Sequence, residues 1–206
     1  MKFDVITIGT ATRDAFIKSE YFHVDPDHHV LGGKGLVMAL GAKIEVPELF
    51  FSTGGGATNT AVTFARQEKK TACIAVIGDD DSGHAVLRDL TKEKVYSGFI
   101  RQEYHATAFS VLLEPTSGER TVLVHRGVSE NLKSSTIPWS RINTKWFYVS
   151  SLAGNIVLLK RIVAFSREKG IRIAYNPGGK ELKQREALVP LLKHIKILIA
   201  NREEAA

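Results

Sequence analysis

The segment Ser52–Gln67, STGGGATNTAVTFARQ, constrains this chain most. An apolar run, Leu49–Phe50–Phe51, leads into three glycines, Gly54, Gly55 and Gly56. Thr58 and Asn59 follow, then a helical pattern with Ala61, Phe64 and Ala65 on one side. Glycines at such a junction allow a tight turn and let a ligand approach the backbone closely. The helix behind them would aim unpaired N–H groups at whatever sits there. Asn59 falls in the first helical turn. Its amide both donates and accepts, which suits a ligand rich in hydroxyls. The alternative is a glycine turn at a helix start with no ligand.

Short apolar runs, several uninterrupted and rich in Val and Ile, recur along the chain: Phe3–Ile8, Leu49–Ser52, Ala72–Ile77, Ala108–Leu113, Thr121–Val124, Trp146–Val149, Ile171–Tyr175 and Ile195–Ile199. Runs of this kind are strands buried on both faces, and they predict a parallel sheet. Helical patterns alternate with some of them, at Ala57–Gln67, Gly83–Lys94 and Ile156–Lys169. The last ends in a basic turn before Gly170, a good helix stop. Arg185–His194 is a weaker helix, interrupted by Pro190. The alternation predicts a doubly wound α/β fold.

Residues 15–51 and 102–125 do not fit that scheme. They lack helical period and alternate like exposed strands, as in AFIKSEYFHV and AKIEVPELFF. The cluster Glu114–Glu119 lies between two β runs and marks a hairpin. Both regions are expected in a small, mostly antiparallel sheet that closes over the glycine turn as a lid, excluding water from a site beneath. All 206 residues then belong to one domain. After Ile195–Ile199, the residues Asn201–Ala206 begin a helix of a single turn. So short a helix is not stable alone, so the domain is expected to be incomplete.

Charge and cysteine use exclude several classes. The net charge is +6, from 28 Lys and Arg against 22 Asp and Glu, but the basic residues are scattered. They are not interleaved with aromatics as a nucleic-acid surface would be, so no nucleic-acid partner is expected. One cysteine, Cys73, permits no internal disulfide and sits in an apolar run as a small core residue. No apolar run approaches the ~18 residues of a membrane span. The N-terminus MKFDVITIG reads as a first strand, not a signal peptide, which predicts a cytoplasmic protein without a membrane partner.

Four further motifs bear on chemistry. Gly9–Asp14, GTATRD, follows the first strand. A carboxylate there is placed where α/β folds bind ligands, though Asp14 is equally a loop cap. Gly54-x-Gly56-x-x-Asn59 nearly matches a dinucleotide fingerprint, with Asp79 about 20 residues on, but Asn59 replaces the third glycine. In Gly78–Gly83, GDDDSG, three carboxylates could hold Mg²⁺; the structural reading has Asp81 or Ser82 capping the next helix. Asn201 and Glu204 are three apart, so they share one helix face, as either a site for hydrated Mg²⁺ or a helix cap. Gly32–Gly35, GGKG, lacks the pattern of a phosphate loop and reads as a turn. The histidines and Cys73 show no metal spacing.

Together these residues resemble the ribokinase (PfkB) family of carbohydrate kinases. The resemblance rests on GTATRD, on GGGATNTAVTFARQ at Gly54–Gln67, on GDDDSG, on GERTVLVHRGVSENL at Gly118–Leu132 and on NREEA at Asn201–Ala205. It implies an α/β sandwich with a β-sheet lid that can also form a homodimer surface. It implies ATP and Mg²⁺ as cofactors and a small sugar as substrate. By the same resemblance Asp14, Gly54, Gly55 and Asn59 contact sugar hydroxyls. Asn201 and Glu204 form the N-x-x-E element near the nucleotide phosphates, with Glu204 toward the metal. The family's D-T-x-G-A-G-D signature, with its anion hole and catalytic Asp, is not among these residues; the catalytic Asp is expected downstream of Ala206. Ribokinase-like members place a sugar-contacting Glu in the segment matching Phe147–Ala153, and here FYVSSLA has no acid, which argues against ribose. A sugar kinase is the expected function, inactive as these residues alone. A nucleoside kinase of the same family, a nicotinamide-dependent oxidoreductase and a non-catalytic sugar-binding fragment are the alternatives.

Overall fold

The computed structural model describes residues 1–30 and 32–205. Its central sheet has five parallel strands: β1 (Phe3–Ile8), β6 (Thr71–Ile74), β11 (Thr144–Val149), β12 (Arg172–Tyr175) and β13 (Ile197–Leu198), in the order β13-β12-β11-β1-β6. Successive side chains of a strand point to opposite faces. In β6, Ala72 and Ile74 enter one apolar core, while Cys73 enters another. Both faces of the sheet are therefore covered. Burial pushes the Cys73 thiol up to about 12, consistent with a packing role.

The first core is built largely by α3 (Ile156–Lys169), which buries Ile156, Leu158, Leu159, Ile162, Val163 and Phe165. At about 1.5–3 kcal/mol for each large apolar side chain, this face outweighs any propensity term. Asn155 caps its start by accepting from the Leu158 N–H at 3.0 Å, and Gly170 ends it in the left-handed region. The second core lies under α1 (Gly56–Arg66) and α2 (Asp81–Lys92), with Ala57, Ala61, Val86 and Leu90 buried. Two smaller helices, α4 (Gly179–Leu182) and α5 (Arg185–Leu192), follow β12, and Pro190 is accommodated inside α5. No described helix is long and apolar enough to cross a membrane.

A second sheet has the order β10-β9-β2-β5. It joins β2 (Thr12–Lys18), β5 (Glu48–Gly54), β9 (Ala108–Glu114) and β10 (Thr121–His125). Only the β2–β9 pair is parallel. The hairpin expected around Glu114–Glu119 joins β9 to β10. A separate hairpin, β3 (His23–Pro26) with β4 (Lys34–Val37), contains the GGKG turn, and Lys34 pairs with Glu119 at 2.9 Å.

Several expectations change. The run Ala72–Ile77 is two strands, because β1 leaves the sheet at Gly9. Beyond Ala75 the chain, as β7 (Val76–Gly78), pairs instead with β8 (Arg101–Glu103). Residues 101–103 thus lie outside the second sheet. In AKIEVPELFF only the part from Glu48 is a strand. The last strand shortens to Ile197–Leu198, and α4 has no counterpart in the sequence reading.

The cap of α2 is Asp80, not Asp81 or Ser82. Asp80 accepts from Gly83 N at 2.8 Å, from Thr107 N at 2.9 Å and from Thr107 Oγ1 at 2.5 Å. Burial alone would raise its pKa, but the bonds from Thr107 and Gly83 outweigh it and hold Asp80 below the usual carboxylate range. A depressed folded-state pKa stabilises the fold above the unfolded value of 3.8 and loses that contribution as pH falls through the folded value. Asp80→Ala is expected to cost about 1–2 kcal/mol near neutrality. Urea midpoints at pH 6 and pH 3 test this: the gap between wild type and variant should narrow at pH 3, and an unchanged gap would refute the titration argument.

Candidate functional site

The exits of the parallel strands converge on one edge, where open α/β sheets bind ligands. Thr10 follows β1, Ser150 and Ser151 follow β11, Asn176 follows β12 and Asn201 follows β13. A cleft of about 660 Å³ opens at the opposite, amino edge, lined by Met1, Phe3, Tyr96, Phe99 and Arg141 among others. Polar groups and close-packed glycines meet at the carboxyl edge, which makes it the candidate site.

The glycine turn is locked from three sides. Gly55 has φ +101°, and a Cβ on it would lie 2.5 Å from the Thr10 carbonyl oxygen. A Cβ on Gly56 would lie 2.6 Å from the Ser150 side chain. Thr58 is fully buried, and its hydroxyl donates to the carbonyls of Gly54 and Gly55. The expectation of unpaired N–H groups at this helix start needs correction. Gly56 N donates to Thr10 Oγ1 at 3.1 Å and Ala57 N to Thr10 O at 3.0 Å. Thr10 therefore takes two of the donors that a ligand would otherwise use.

Asp14 is not a loop cap but a strand residue inside β2. Its Oδ1 accepts from Thr12 Oγ1 at 2.9 Å, and its Oδ2 lies 1.9 Å from where a Gly54 Cβ would stand. Gly54 must be glycine for this carboxylate to keep its place. Strand pairing sets Ser52 and Ser110 directly beside Asp14 on the same face. The next pair along that face is Phe16 and Phe50, stacked at 4.5 Å with an interplanar angle of 5°. Asn59 is exposed one turn into α1, and its amide makes no hydrogen bond among the described residues. The structure thus gathers Asp14, Gly54, Gly55 and Asn59 around one turn.

Asn201 and Glu204 lie at the start of α6 (Arg202–Ala205) and cap it reciprocally. Glu204 N donates to Asn201 Oδ1 at 2.8 Å and Asn201 N to Glu204 Oε2 at 3.0 Å. Asp80 is engaged in the α2 cap, and no cluster of three or more His, Cys, Asp or Glu suited to a metal occurs among the described residues. The dinucleotide reading fails on topology. The strand before the turn, β5, runs antiparallel to β2 in the second sheet, whereas that fingerprint needs a parallel βαβ unit.

No local motif marks Ser110, Ser150 or Glu181 in the sequence. The segment Phe147–Ala153 has no acid of its own, yet the Glu181 carboxylate reaches it from α4. Ser110 becomes visible only through the β2–β9 register.

The pfkB family carbohydrate kinase profile matches residues 5–206. This chain belongs to that family. No curated protein matches it in sequence. Among solved structures, a PfkB protein from Polaromonas sp. JS666 superposes with a TM-score of 0.74 at 17% identity, covering 98% of this chain and 66% of that one. A ribokinase from Arabidopsis thaliana, solved with ribose and ATP, gives 0.73 at 16% identity, covering 99% and 62%. A nucleoside kinase from Burkholderia thailandensis, solved with inosine, gives 0.72 at 14% identity, covering 98% and 61%. At such identities the likeness carries the fold, the α/β sandwich of ribokinases, and not the substrate. The chain spans 61–66% of the length of these three proteins.

Proposed function

We propose that this chain carries the substrate-binding side of an ATP-dependent kinase that phosphorylates a sugar hydroxyl. Asp14 carries the reading. Its carboxylate overhangs Gly54 with Thr12 as its hydrogen-bond partner, one turn from the unengaged amide of Asn59, in a chain of a carbohydrate-kinase family. Asp14 accepts from substrate hydroxyls, and Asn59 donates and accepts. Gly54 and Gly55 let the ring approach the backbone.

Asn201 and Glu204 serve the nucleotide side in this reading. Their cap uses Glu204 Oε2 and leaves Oε1 for a water of a hydrated cation, so the pair fits Mg²⁺. When bound, Mg²⁺ neutralises charge on the phosphoryl group in flight. The second sheet is assigned the role of lid over the glycine turn. Its exposed Leu49, Phe51, Leu123 and Val124 support a homodimer through that sheet.

No acid of these 206 residues is assigned the role of base, so the chain alone is expected to bind substrate without turnover. Purified chain should release no ADP in response to hexoses or pentoses above a no-sugar control. Clear sugar-dependent release would place the base within these residues. The Phe16–Phe50 stack favours a second reading, a nucleoside substrate whose base lies against that apolar shelf. Calorimetry with D-ribose, D-fructose, inosine and adenosine separates the two. On the nucleoside reading, Phe50→Ala weakens the nucleosides about tenfold and spares the free sugars.

A further inference from the structure

Glu181 is fully buried and pairs with no cation among the described residues. A buried carboxylate without a counter-charge is costly unless hydrogen bonds saturate it. Four donors do so here. Oε1 accepts from Leu152 N at 2.5 Å and Gly154 N at 3.0 Å, and Oε2 from Gly178 N at 3.1 Å. Ser151 Oγ lies within 3.2 Å of both oxygens. These donors come from two separate loops, one leaving β11 and one leaving β12. After the larger effect of burial, the same carboxylate also raises the pKa of the buried Tyr175 phenol.

The β11 loop holds a strained backbone. Ala153 has φ +57° although it is not glycine, and Gly154 has φ +86°. Strain of this kind persists only where the surroundings over-determine it. The loop begins at Ser150, which is buried against Gly9 and Gly56. A Cβ would fall 1.9 Å from Ser150 Oγ in the first case and 2.6 Å from its side chain in the second. Any shift of this loop therefore reaches the glycine turn directly.

We propose that Glu181 is a positioning residue for the substrate site: its carboxylate clamps the β11 and β12 exit loops and so fixes Ser150 against the glycine turn. The inference rests on the substrate reading given above. Its bond from Gly178 N closes the capping box of α4, but a residue that served α4 alone would not need acceptors toward Leu152 and Gly154 of the β11 loop.

The atoms make a specific test possible. In Glu181→Gln the amide oxygen replaces Oε1 and keeps Leu152 N and Gly154 N, while the amide nitrogen opposes Gly178 N. Hydrogen exchange on the 206-residue chain should then lose protection at Gly178 first, whereas Glu181→Ala should lose it at Leu152, Gly154 and Gly178 together. Titration with D-ribose and with inosine, followed by amide NMR shifts at Gly54–Asn59, reads the site itself. The tighter of the two probes should bind Glu181→Gln about tenfold more weakly than wild type. The thermal midpoints should stay close enough that both proteins are fully folded during the titration. Unchanged protection at all three amides overturns the clamp. Parental affinity in Glu181→Gln overturns the positioning role while leaving the substrate reading intact. If wild type itself shows no shift at Gly54–Asn59 with either probe, nor with D-fructose or adenosine, the substrate reading has failed and the positioning role falls with it.

Discussion

Gly55→Ala is expected to destabilise the chain by about 2–6 kcal/mol. Two causes add. The backbone at Gly55, φ +101° and ψ 147°, lies in a region that side chains avoid, at a cost of order 1–3 kcal/mol. The new Cβ would also meet the Thr10 carbonyl oxygen at 2.5 Å and Ala11 Cα at 2.8 Å. Both are main-chain atoms in the connection from β1 to β2, so they cannot rotate away, and overpacking of this kind costs about 1–3 kcal/mol more. Gly118→Ala separates the two causes. Gly118 has φ +81° but nothing within 4 Å of its Cβ, so only the conformational part remains, about 1 kcal/mol. Urea unfolding of both variants checks the argument. Equal losses would mean that the glycine turn is not packed against Thr10.

What the sequence makes legible follows from how local each signal is. Helix α3 starts and stops where the apolar period, the basic last turn and Gly170 say it does, because all three signals lie within the segment. The parallel strands are likewise visible as uninterrupted apolar runs. The break at Ala75 is not, since nothing in TACIAVIG changes there. The cause is the departure of β1 at Gly9, more than sixty residues earlier. Asp80 takes the cap from Asp81 and Ser82 because Thr107, brought in by β9, adds two donors to it. The site divides in the same way. The turn Gly54–Asn59 is contiguous and can be read directly. Ser110 beside Asp14, and Glu181 under the β11 loop, depend on pairings across 96 and 29 residues that no local pattern encodes. Asn201 and Glu204 show the limit of spacing alone. An interval of three serves a capping box and a metal-water site equally, and the two share the same atoms here.

Asp14→Ala should weaken binding of the true substrate by roughly ten- to a hundred-fold while costing the fold little. A hydrogen bond to a charged acceptor contributes about 1.5–3 kcal/mol when its partner has no water to turn to. Within the chain Asp14 serves Thr12, which is itself partly exposed, so its removal strands no buried donor. Gly54→Ala attacks the same carboxylate from the other side. A Cβ there would stand 1.9 Å from Asp14 Oδ2 and 2.5 Å from Cγ, so the side chain must swing off the turn. Its expected loss of affinity is of the same size as that of Asp14→Ala, reached with the aspartate still present. If both act through one carboxylate, the double variant is hardly worse than either single variant, a non-additivity that independent sites more than 7–10 Å apart do not show. Asn59→Ala, on α1, removes a different side chain from the same ligand and serves as the comparison variant. Calorimetric titration of the four variants with the tightest-binding sugar or nucleoside supplies the cycle. Parental affinity in Asp14→Ala would reduce this aspartate to a partner of Thr12. Simple additivity between Asp14→Ala and Gly54→Ala would mean that Gly54 is glycine for the turn and not for the carboxylate above it.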